Sequence, residues 1–117
     1  MELFSRPRRL RQNSLTRELV AETTLNINRL IQPYFVCDGT NTKDEINGLP
    51  GIFRESVDSL TKSIESDLKL GIKNIMLFGV TDRKDALATS ASDDKNPVIR
   101  AIKELKKQFG NDLLIGA

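Results

Sequence analysis

The sequence predicts an α/β fold with a parallel sheet, entered through a polar arm, and three observations carry that prediction. Apolar runs rich in strand formers alternate with stretches whose apolar residues recur at helical spacing. The central run, Ile75 to Phe78, is continuously apolar without alternation, as expected of a parallel strand covered on both faces. Helices placed between successive strands supply the crossovers that parallel pairing requires.

Taken in order, residues 1–29 are polar and rich in arginine, and read as an extended arm. A short amphipathic stretch over residues 14–22 carries Leu15, Leu19 and Val20, which is too little apolar surface to fold alone. Leu30-Ile-Gln-Pro-Tyr-Phe-Val36 is the first strand, although Pro33 cannot donate to a ladder and normally sits at an edge or bulge. Residues 38–51 read as a turn-rich connector. From Ser56 the period changes: Val57, Leu60, Ile64 and Leu68 form one helical stripe, with Ser56 as cap and Gly71 as the stop. Residues 72–80 form the second strand, and residues 81–95 a long polar loop, a length that usually serves function or motion. Asn96 caps the next helix with Pro97 at its first position. Val98, Ile102, Leu105 and Phe109 make its stripe, Lys103, Lys106 and Lys107 complement its dipole, and Gly110 closes it. Residues 113–117 are a third apolar run. Three strands and two helices do not complete such a sheet, so more chain or more copies are expected.

Composition narrows the functional classes. The chain has 117 residues, 38% of them hydrophobic and 29% charged, and a net charge of +2. That balance suits a soluble globular chain and argues for neither a nucleic-acid nor a membrane partner. No apolar run reaches the roughly 20 residues of a membrane span, and the basic start lacks the apolar segment of a secretory signal. A cytoplasmic location is the expectation. With no histidine and a single cysteine, Cys37, the sequence excludes an internal disulfide, a Ser-His-Asp or Cys-His nucleophile and a Cys/His zinc site. Glycine-rich phosphate loops are absent as well.

Three features could carry chemistry. Lys84-Asp85 lies in the loop after the second strand, the side on which α/β barrels place their active sites; a solvated loop charge is the plainer reading. Cys37 follows the first strand with no cationic neighbour to make it reactive, and reads as a small hydrophobe. Arg6, Arg8, Arg9, Arg11 and Arg17 could neutralise phosphates. They lack interleaved aromatics, Phe4 being the only one nearby, and read better as an arm gripping a neighbouring subunit.

Arg6-Pro-Arg-Arg-Leu-Arg11, Leu30-Ile-Gln-Pro-Tyr-Phe-Val36, Gly48-Leu-Pro-Gly-Ile-Phe-Arg54, Leu77-Phe-Gly-Val80 followed by Lys84-Asp85, and Asn96-Pro-Val-Ile-Arg-Ala-Ile102 occur in this order. Together they resemble the N-terminal third of the porphobilinogen synthase (δ-aminolevulinic acid dehydratase) family. The resemblance implies about three strands and two helices of a (β/α)8 TIM barrel over residues 30–117, behind an arm over residues 1–29 that embraces a neighbouring subunit, usually in an octamer. It implies a hydro-lyase that condenses two molecules of 5-aminolevulinate to porphobilinogen, with loss of water, for tetrapyrrole and haem synthesis. A proline in the first strand is common in that family. Zinc or magnesium is expected of a full-length member.

The family's two Schiff-base lysines lie on later strands, its cysteine-rich zinc segment follows directly after the third strand and its carboxylate-binding arginines lie further on, so the resemblance assigns no catalytic, cofactor or metal residue here. Phe78, at the carboxyl end of the second strand, is the one residue it places near an active-site wall, with packing within the barrel an equal alternative. The chain alone is therefore expected to be inactive. The alternative is a noncatalytic module that docks on a full-length subunit. Two departures stand out: Gln32 replaces a frequent tyrosine, and Ala88-Thr89 stand where Gly-Ser is usual. The second removes left-handed freedom from the loop.

Overall fold

The computed structural model describes residues 8–117, so Arg6 and Phe4 lie outside the described residues. Within the arm, α1 (Ser14–Leu19) starts where the Asn13 side chain accepts the Thr16 N–H at 2.8 Å. Its apolar side stays largely uncovered among the described residues: Leu15 is 75% exposed and Leu19 85%. The arm is fastened at its far end, where the Asn74 side-chain amide donates to the carbonyls of Asn28 and Leu30.

The sheet has five strands among the described residues. They are β1 (Gln32–Cys37), β2 (Lys43–Glu45), β3 (Phe53–Glu55), β4 (Asn74–Val80) and β5 (Leu114–Gly116), in the order β2-β3-β1-β4-β5. All neighbours are parallel except the β2–β3 hairpin. The expected α/β class and parallel sheet are present. Two details of the reading change. The connector over residues 38–51 contains β2, whose Lys-Asp-Glu sequence carries no apolar signal and is held instead by its pairing with β3. The first strand runs two residues later than its apolar run and ends on Cys37, because Leu30 and Ile31 stay exposed ahead of the ladder. Pro33 causes no conflict. It pairs with Met76 on β4, while β3 reaches only Phe35 and Val36, so at Pro33 the strand has a neighbour on one side alone.

Two helices cover one face. α2 (Val57–Lys69) follows Ser56, whose hydroxyl accepts no N–H of the helix; it accepts the Thr42 N–H at 2.9 Å and donates to the Asp58 side chain at 2.6 Å, tying the hairpin to the helix start. Gly71, at φ +97°, turns the chain out of α2. α3 (Pro97–Phe109) starts as predicted, with the Asn96 side chain accepting the Val98 N–H at 2.8 Å. Leu60 and Ile64 of α2 and Ala101 and Leu105 of α3 close over Val36, Ile75, Leu77 and Leu113 to make the core.

The other face is open, which corrects the expectation of a central strand covered on both sides. Along β4, Ile75 and Leu77 are buried at 2% and 3%, whereas Phe78 is 48% exposed. Alternation along the strands puts Pro33, Phe35 and Cys37 of β1 beside Met76, Phe78 and Val80 of β4 on this uncovered side. Helices outside and an apolar strand face inside are the two layers of a barrel wall.

Candidate functional site

A parallel sheet presents its loops and unpaired backbone ends at the carboxyl ends of its strands, which is where α/β enzymes gather reacting groups. Here that edge is formed by Cys37, Val80 and Gly116 with residues 38–42 and 81–96. Just inside it, the Phe35 and Phe78 rings stack with centroids 5.6 Å apart and an interplanar angle of 27°. The register that pairs Phe35 with Phe78 across β1 and β4 dictates this contact. The stack gives the open face an apolar wall directly beneath a charged rim.

The rim is an ion-pair chain that sequence reasoning missed. Asp38, one residue past β1, meets Arg100 of α3 at 2.6 Å through one carboxylate oxygen and Arg83 at 3.9 Å through the other. Arg83 in turn faces Asp93 at 4.0 Å. Contacts between residues 62 positions apart leave no local pattern. The available signal was Asp38's place just beyond a strand's carboxyl end. Beside this rim a small cleft is lined by Cys37, Asp44, Arg54, Val80 and Asp82.

Of the residues singled out from sequence, Phe78 stands on the open face. Lys84 and Asp85 do not act as a pair. Lys84 is exposed, while Asp85 accepts the Thr89 N–H at 2.9 Å, and the Thr89 side chain first and that N–H second hold its carboxyl below the usual range. Asp85 thus shapes the loop. Cys37 is buried, and loss of solvent raises its thiol above the ordinary value, with the Arg54 charge opposing. It is a packing residue with the character of a small hydrophobe. Arg8, Arg9, Arg11 and Arg17 remain on the exposed arm, far in sequence from this edge.

Every lysine of the chain is exposed. An amine that attacks a carbonyl must be neutral, which in proteins takes desolvation or a neighbouring cation in a pocket. The residues present do not fit a metal holder either: the chain has no histidine, Cys37 is alone, and no group of three potential ligands occurs among the described residues. Among the described residues no helix is long and apolar enough to cross a membrane. What the edge offers is a wall, a charged rim and a long loop.

Comparison with known proteins gives this edge a context. Residues 4–117 match the family model described as delta-aminolevulinic acid dehydratase. The delta-aminolevulinic acid dehydratase of Helicobacter pylori is 40% identical over 114 residues, covering 97% of this chain and 35% of that protein. That of Chlamydia pneumoniae is 43% identical over 117 residues, covering 98% and 35%. A crystal structure of the Toxoplasma gondii enzyme (porphobilinogen synthase), in complex with the reaction product porphobilinogen, superposes with a TM-score of 0.85 at 36% identity. It covers 97% of this chain and 32% of that one. The chain thus spans about a third of the length of these relatives.

Proposed function

The chain belongs to the delta-aminolevulinic acid dehydratase family, and from that premise we propose that it forms the N-terminal third of a porphobilinogen synthase. That enzyme condenses two molecules of 5-aminolevulinate to porphobilinogen with loss of water. The observation that carries the reading is the superposition of 97% of the chain, at a TM-score of 0.85, on a structure holding porphobilinogen.

In this reading the chain's contribution is architectural. Residues 30–117 give one sector of the barrel wall, with Phe78 and its partner Phe35 facing the interior as an apolar surface beside bound substrate. An apolar wall excludes water from a condensation that itself releases water. The nucleophilic amine and the zinc, magnesium or both of a full-length member come from other segments, and the lysines here are all exposed. The arm over residues 1–29 makes the subunit contact of a homo-oligomer, an octamer when complete. The exposed leucines Leu15, Leu19 and Leu25 support that role, since each needs a partner surface to be buried.

The test is to treat the purified chain with 5-aminolevulinate and borohydride, and separately to co-express it with the remaining two-thirds of the Helicobacter pylori relative. We expect no trapped adduct on this chain alone, co-purification of the two pieces, and porphobilinogen formation by the pair only. An adduct on the isolated chain would overturn its assignment as noncatalytic, and failure of the pieces to associate would overturn the barrel-sector reading. Binding to a full-length subunit with no gain in activity would favour a noncatalytic docking module, to which the same exposed leucines would also lend themselves.

A further inference from the structure

We propose that Arg83 is an electrostatic latch that holds the loop of residues 81–95 against the carboxyl ends of β1 and β4. Every residue of that loop is exposed or only partly buried, and Leu87, its one large apolar side chain, is 87% exposed. An internal hydrogen bond gives it a shape, Asp85 accepting the Thr89 N–H at 2.9 Å, and the Asn96 side chain at the start of α3 donates to the Ser90 carbonyl at 2.7 Å. They do not attach its middle to the sheet. That attachment is ionic. Asp38 is the fixed post, held at the end of β1 by Arg100 of α3 at 2.6 Å. Arg83 reaches back to Asp38 at 3.9 Å with one terminal nitrogen and across to Asp93 at 4.0 Å with the other, joining the first third of the loop, its last third and the sheet. A weaker, more exposed pair, Lys103–Asp94 at 3.6 Å, ties the loop to α3.

The geometry separates the post from the bolt. At 2.6 Å the Asp38–Arg100 contact is a charge-assisted hydrogen bond, whereas Arg83 sits beyond hydrogen-bond length from both carboxylates. Arg83 is thus held by charge alone, with its side chain 61% exposed, and such attraction weakens with salt. A latch of this kind lets the loop leave the strand ends without disturbing the core. This goes beyond the enzymatic reading above and holds whichever reaction the edge serves.

Hydrogen exchange of the whole chain tests the proposal, following the hydrogen-bonded loop amides of Ala88, Thr89, Ala91 and Asp93 at low and high salt. Arg83→Gln should speed their exchange about three- to ten-fold at low salt, the range expected for losing two exposed ion pairs. The wild-type loop should approach the variant's rate at about 1 M salt, where charges are screened within roughly 3 Å. Arg83→Lys should keep part of the protection. Lys69→Gln, which removes the same charge from an unrelated pair with Glu65, should change nothing in the loop. Unchanged loop exchange in Arg83→Gln would overturn the latch. So would an undiminished salt response in that variant, or a rise matched by the core amides of α2, since that would be global destabilisation.

Discussion

Tyr34 offers the sharpest test of how the first β/α unit is held. It is the chain's one tyrosine, in a chain without tryptophan, so near-ultraviolet tyrosinate absorbance reports this residue alone. Its hydroxyl donates to the Asp67 carboxylate at the far end of α2, pinning the helix to β1. Burial raises its pKa well above the ordinary 10.0, and the Asp67 hydrogen bond, the Asp67 charge and the Glu55 charge push the same way. The sign follows. Below pH 10 both folded and unfolded chains keep the phenol protonated and the contribution is fully present. Above it the unfolded chain releases the proton and the folded chain does not. Stability therefore falls as pH rises, at up to about 1.4 kcal/mol per pH unit, until the folded group also ionises. Tyr34→Phe removes a hydrogen bond to a charged group and should cost about 1–2 kcal/mol at neutral pH, yet it should escape the alkaline loss. Urea unfolding of both proteins should give stabilities that converge about half a unit to one and a half pH units above 10. Every other group is common to both proteins and cancels in the difference. A native absorbance midpoint at the ordinary value, or two curves that fall in parallel, would refute this account.

Three further outcomes follow from the packing. Ala88 occupies the left-handed region at φ 52°, ψ 37°, so Ala88→Gly should raise stability by up to about 1 kcal/mol, strain relief exceeding the added chain entropy; a lower urea midpoint would contradict it. Leu105→Ala, at a position with no exposure, should cost about 2–5 kcal/mol by urea unfolding, whereas Leu87→Ala in the exposed loop should stay within about 0.5 kcal/mol. A Cβ on Gly79 would stand 2.8 Å from Val98 of α3, so Gly79→Ala should cost about 1–3 kcal/mol, and adding Val98→Ala should recover part of that loss in a double-mutant cycle.

How far the fold was legible depends on whether a residue's role is set by its neighbours in sequence or in space. Asn96-Pro97, Gly71 and Gly110 act through backbone geometry within one turn, and each sits where the sequence puts it. The stripe of α2 was legible because Leu60 and Ile64 repeat on one face of one helix. β2 was not, since Lys43, Asp44 and Glu45 form a strand only because β3 lies alongside; Lys43 meets Glu55 across the ladder at 2.8 Å. The continuous apolar run from Ile75 to Phe78 predicts a strand covered on both faces, and half of that prediction fails for a physical reason. Continuous apolarity states that both faces of β4 suit burial, not that this chain supplies both covers. Helices α2 and α3 cover the Ile75–Leu77 side, and Met76 and Phe78 are left for something else. The rim was least legible of all. Asp38, Arg83 and Arg100 come from a strand end, a loop and a helix, and only closure of the β1–β4–α3 unit makes them neighbours. Family resemblance adds what spacing cannot: a reason why an exposed Phe78, poor for a finished surface, suits the inner wall of a barrel. The open face and the apolar strand pattern are then one fact, a half-covered sheet whose sequence already fits the interior it is proposed to line.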